Sequence, residues 1–177
     1  RSHNHVEEIL LVDIDDAEIG YMPKADVHKY GKLHRAFSVF IVHDGKMLIQ
    51  KRNKNKYHSG GLWTNACCSH QRKGETLADA VKRCMIDELG TNCKVEEQYQ
   101  FVYRTAFAKD LFEFEIDHVF LGDSDDFDGE LCIDPEEAEA IQWVDFGTLK
   151  RRLTDEPERF TSWFIIAAPQ VMKILER

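Results

Sequence analysis

Apolar and polar positions along this 177-residue chain change period several times, and each change marks an element. In FSVFIVHDGKMLIQKR (37–52), two apolar stretches flank Asp44-Gly45, a dipeptide that tolerates the positive φ of a tight turn, so the run predicts a β-hairpin. From Thr76 to Leu89, apolar residues fall at Leu77, Ala80, Val81, Cys84, Met85 and Leu89, the spacing of one helix face, and Gly90 supplies the stop. KVEEQYQFVYRTAFA (94–108) and LFEFEIDHVFLG (111–122) predict two long strands paired antiparallel across Lys109-Asp110. A short strand, AIQWVD (140–145), leads into a helix over 146–153. TSWFIIAAPQVMKILE (161–176) predicts a final helix kinked or broken at Pro169, where the missing N–H interrupts the ladder. This order of elements predicts one α/β domain on a mixed sheet over residues 1–177, beginning with RSHNH (1–5) as a disordered or expression-derived start.

Composition narrows the class. Hydrophobic residues make up 43% and charged residues 31%, and no run approaches the roughly 18 apolar residues of a membrane span. The net charge of -9 excludes a general nucleic-acid binder, which needs a basic balance or face. Basic residues nevertheless concentrate in QKRNKNK (50–56). Five cysteines, an odd number without a CxxC pair, weaken both a disulfide framework and a zinc finger, so a reducing cytoplasm is the expected setting. A monomer or weak dimer is expected.

Candidate chemistry sits at three places. On the predicted helix, Arg83, Asp87 and Glu88 share a face that is either a solvated ion-pair face or a hold for a divalent cation. In CCSH (67–70), read as extended, Cys68 and His70 point one way and Cys67 the other; the same alternation puts Glu113 and Glu115 on one face. A carboxylate pair amid so much apolar sequence is costly unless cations or donors satisfy it. His28 and His34 precede the hairpin, and with His70, Glu113 and Glu115 they form a three-nitrogen, two-carboxylate set suited to Mn, Zn, Fe or Mg. His3, His5, His43, His58 and His118 show no partner pattern and are read as structural.

Glu75, Arg83, Asp87, Glu88 and Gly90 fall in register with the Nudix box, although Ser69 stands at the box's first glycine and Cys84 at the glutamate after its arginine. That glutamate helps load metals in Nudix hydrolases, so Cys84 argues against hydrolysis. LHRAFSVF, TNACCSH, DELG, EFEID and SWFIIAA together make the chain resemble the type I isopentenyl-diphosphate delta-isomerases over nearly its whole length, with Gln71 where many members have proline. The resemblance implies a Nudix-like mixed β-sheet sandwiched between helices, and interconversion of isopentenyl and dimethylallyl diphosphate. It implies that Cys68 and Glu115 flank the substrate's double bond, with Tyr103 hydrogen-bonding near Glu115 and Trp163 facing the developing cation. Lys24, Arg52 and Lys56 would contact the diphosphate. Glu88 would help hold a bridging Mg, and His28, His34, His70, Glu113 and Glu115 would bind Mn, Zn or Mg. The rival readings are a Nudix diphosphate hydrolase and a non-catalytic metal- or nucleotide-binding module.

Overall fold

Strand β3 (His34–His43) organises the molecule because nearly every residue in it is buried, which only a central strand covered on both faces can sustain. The computed structural model describes residues 7–177, so the expectation for residues 1–5 lies outside the described residues. Before β3 come β1 (Glu8–Val12), β2 (Glu18–Pro23) and a short helix α1 (Lys24–Tyr30). After it come β4 (Lys46–Arg52), β5 (Trp63–Thr64), β6 (Cys67–His70), α2 (Leu77–Leu89), β7 (Cys93–Ala108), β8 (Leu111–Phe127), β9 (Ala138–Asp145), α3 (Phe146–Asp155) and α4 (Ser162–Leu175).

The expected elements are present. Asp44 (φ 49°) and Gly45 (φ 74°) both take positive φ at the β3–β4 turn, the conformation a two-residue hairpin loop requires. Thr76 caps α2 by accepting the Asp79 N–H, and Gly90 closes it in the left-handed region. The β7–β8 pair is antiparallel as expected and longer, reaching Phe127. One expectation is corrected in part: α4 is not broken at Pro169 but continues through it as one helix. Pro169 lies on its exposed side, while Phe164, Ala167, Ala168, Val171 and Met172 keep the opposite side packed.

The strands form one mixed sheet in which β8 runs parallel to β3 along residues 34–42. With that edge occupied, β1, β6 and β4 share the other edge of β3, meeting it at His34, at residues 36–39 and at residues 42–43. Alternation along β3 then divides the core. Phe37, Val39 and Ile41 pack against α2 through Val81, Cys84 and Met85, while Phe40 and Val42 pack under α4 through Phe164, Ala168 and Met172. Each fully buried phenylalanine contributes roughly 1.5–3 kcal/mol from the area it removes from water. β4 and β6 leave the same edge of β3 and diverge, so a single cavity can reach side chains from both layers.

Candidate active site

That cavity, about 140 Å³, opens where β4 and β6 part. Cys68 and His70 from β6, Glu113 and Glu115 from β8, Arg52 from β4, Trp163 from α4 and Glu88 from α2 all line it. The register explains their convergence. Ser38 pairs with Cys68 on one side of β3 and with Val119 on the other, so β6 and β8 present their alternate residues to the same side of the sheet. Cys67, facing the other way, is fully buried against α2. Asn65 fixes this entry: its amide donates to the carbonyls of Val39 (3.1 Å) and Cys67 (2.7 Å), and its Oδ1 accepts from Trp163 Nε1 (3.2 Å).

Three imidazoles meet at His70, which lines the cavity. Ligand nitrogens of His28, His34 and His70 lie within 4.8 Å of one another. His28 Nδ1 and His34 Nδ1 donate to the carbonyls of Lys24 (2.8 Å) and Lys32 (2.9 Å), an assignment that follows because a carbonyl can only accept. Each Nε2 therefore carries the lone pair and faces inward. His34 Nε2 is buried without a hydrogen-bond partner, 3.3 Å from Glu115 Oε2. His28 Nε2 lies 4.0 Å from Glu113 Oε1. Burial holds all three histidines below their ordinary pKa, so they are neutral ligands at pH 7. Of the two carboxyls, burial pushes Glu115 well up, with Glu113 adding to the effect. Burial is the largest influence on Glu113 and opposes its ionisation, but the hydrogen bond from His58 together with the electrostatic pull of His58, His34 and His28 outweighs it and holds this group below the usual range. An inward-facing orphan nitrogen, neutral imidazoles of which His28 and His34 are anchored on the far side, and two adjacent carboxyls fit a divalent cation.

The anion-binding side is assembled from separate elements. Lys24, Arg52 and Lys56 all line the cavity, Lys56 paired with Glu137 (2.7 Å) and Lys24 3.9 Å from Glu7. Burial lowers the pKa of Lys24, against the pull of Glu7. The Arg52 guanidinium sits 5.4 Å from the centre of the Trp163 ring, so the indole already faces one cation inside the protein. Arg83 grips Glu75 in two hydrogen bonds (2.5 and 3.1 Å) and also donates to the His70 carbonyl (3.1 Å), fastening the box to β6. Cys84 donates to Glu88 Oε2 (3.0 Å), and burial pushes that carboxyl up to about 7.

Tyr103 stands beside Glu115 in register, and its hydroxyl pairs with Ser162 Oγ at the start of α4. His58 shows no partner pattern in the sequence, yet its Nε2 lies 2.8 Å from Glu113 Oε1 and the residue lines the cavity. Asp117 also lines it, taking the Ser38 hydroxyl at 2.8 Å while its other oxygen is buried without a partner. The period-two rule that groups Glu113 with Glu115 extends to Asp117; no local pattern marks His58.

The NUDIX domain family profile matches residues 32–164. The isopentenyl-diphosphate Delta-isomerase of Burkholderia multivorans is 45% identical over 159 residues, covering 89% of both chains. Isopentenyl-diphosphate Delta-isomerase 2 of Aromatoleum aromaticum is 39% identical over 94% of this chain and 87% of its own. The chain belongs to the isopentenyl-diphosphate Delta-isomerase family. Among solved structures, the MutT NUDIX hydrolase from Burkholderia pseudomallei is similar at 26% identity with a TM-score of 0.61, covering 79% of this chain and 98% of that one. A Deinococcus radiodurans protein, 19% identical, shares the fold at a TM-score of 0.66 over 85% of this chain and 90% of its own. The chain thus combines membership of the isomerase family with the Nudix scaffold. No helix among the described residues is long and apolar enough to cross a membrane.

Proposed function

We propose that this cavity interconverts isopentenyl and dimethylallyl diphosphate, with Cys68 and Glu115 as the proton-transfer pair. The observation that carries the reading is their placement. A thiol and a carboxyl line one cavity from the two strands that flank β3, with an indole in the same wall.

Moving the double bond from C3–C4 to C2–C3 adds one proton at C4 and removes one from C2. Protonating the alkene gives C3 tertiary carbocation character, so the site must supply an acid, a base, shelter from water and a partner for positive charge. Cys68 Sγ and Glu115 divide the first two tasks, and the reverse reaction exchanges their roles. Burial pushes the Cys68 thiol well above its ordinary pKa, which keeps the proton on sulfur at neutral pH. The Trp163 ring offers its face to the cation, an attraction of roughly 0.5–2 kcal/mol or more when desolvated. Arg52, Lys24 and Lys56 bind and orient the diphosphate, with the planar fork of Arg52 matched to phosphate oxygens. Glu88 would hold a magnesium ion bridging to that group. His28, His34, His70, Glu113 and Glu115 would hold manganese, zinc or magnesium, whose positive charge favours the ionised form of Glu115.

Incubation with isopentenyl diphosphate, following allylic product and released phosphate together, tests the reading. Product without phosphate is expected. Phosphate release selects the hydrolase, and neither signal selects a binding module. In heavy water the product should carry deuterium, and Cys68→Ser should incorporate it far more slowly; undiminished incorporation and turnover would remove the thiol from the reaction.

A further inference from the structure

The loop between β4 and β5 joins the two halves of the cavity through one side chain. His58 is buried, and its ring stacks on Phe107 with centroids 4.0 Å apart and planes 4° from parallel. Its Nδ1 lies 3.0 Å from the Ser59 hydroxyl, which can donate to it, and its Nε2 lies 2.8 Å from Glu113 Oε1. Its carbonyl accepts from Arg52 Nη2 at 3.1 Å. The neighbouring residue, Tyr57, brings its hydroxyl to 3.4 Å from His28 Nε2. Two consecutive loop residues therefore touch two different members of the His/Glu set, while Arg52 and Lys56 on the same segment face the anion-binding side.

The loop has little freedom to relax. Ser59 takes a left-handed φ of 55°, uncommon outside glycine, and a Cβ added at Gly60 would come within 2.6 Å of the Lys54 carbonyl oxygen. A loop closed this tightly fixes the direction in which the His58 N–H points. Carboxylate ligands depend on such outer partners for their orientation, and losing one typically weakens metal binding by about 10- to 100-fold.

We propose that His58 is a positioning residue that aims Glu113 into the metal site. This does not rest on the isomerase activity proposed above. The test is manganese binding to the metal-free full chain, read from the electron paramagnetic resonance signal of the free ion. His58→Phe keeps a ring for Phe107 but has no donor, and its Kd for manganese should be about 10- to 100-fold weaker. His58→Gln places an amide donor near the same point, and its Kd should return to within about threefold of wild type, since the lost outer-sphere partner is then replaced. Should His58→Phe not fold, His58→Asn, too short to reach Glu113, replaces it with the same expected loss. An unchanged Kd in the donor-free variant overturns the proposal, as does an equal loss in the Phe and Gln variants, which would show that restoring the donor does not restore binding. Because the readout is metal affinity, a wild-type protein that fails to isomerise would defeat the functional reading and leave this result standing.

Discussion

Cys67 and Cys68 are adjacent in sequence and belong to opposite layers: Cys67 is fully buried against α2, whereas Cys68 lines the cavity. Cys67→Ala should therefore leave turnover intact and cost about 1 kcal/mol of stability, the scale of a small buried truncation. Cys68→Ser should lose at least a hundredfold in turnover, the lower range of a proton-transfer defect of about 10²–10⁴, with fold and metal content retained. Product assays, metal analysis and urea unfolding separate the two. The opposite pattern would mean that β6 is out of register by one residue.

His70 offers neutral imidazole nitrogen to the cluster with His28 and His34. His70→Asn should lower bound metal and turnover together, measured by elemental analysis and product formation on the same sample. Full occupancy with normal turnover would take His70 out of the site.

Gly90 ends α2 at φ 72°, and a Cβ there would lie 2.7 Å from the Cys132 carbonyl oxygen. Gly90→Ala should destabilise by roughly 1–3 kcal/mol, combining left-handed strain with a clash against backbone that cannot swing aside. Denaturant unfolding measures it. A change under a few tenths of a kcal/mol would show that the 132 segment yields freely.

Away from the cavity, His43 Nδ1 lies 3.1 Å from Asp123 and 3.6 Å from Asp125. The hydrogen bond to Asp123 raises the His43 pKa above 6.5. Its stabilising contribution is complete below the unfolded histidine value and is lost as pH rises through the raised one. Asp123 is depressed, first by the Asp125 N–H, so its share is present above the ordinary carboxylate value and fades as pH falls through the lowered one. NMR titration should place His43 above 6.5, and Asp123→Asn should bring it down. An unmoved midpoint in that variant would show that Asp123 is not the cause.

The hairpin, α2 and the long β7–β8 pair were legible because each carries a sustained period and a turn or cap residue at its end. α1 was not. Its seven residues bury only Val27 and His28, too few for a helical period, and His28 reads in sequence as a ligand candidate rather than as part of a turn. The facing of Cys68, His70, Glu113 and Glu115 followed from strand alternation alone. His58 joined the cavity through long-range pairing with Glu113, a partner that no local pattern connects to it, whereas Asp117 continues the alternation of Glu113 and Glu115 along β8. Pro169 misled because its place on the solvent side of α4 depends on what packs behind it.

The His/Glu set draws on α1, β3, β6 and β8, segments far apart along the chain. A cation held there acts as a removable staple, closing loops whose ends would otherwise cost entropy to keep together, and it favours the folded state by mass action. Chelation should therefore make α1 and the start of β3 the first places a protease can cut, so resistance to digestion becomes a gauge of metal loading that needs no substrate.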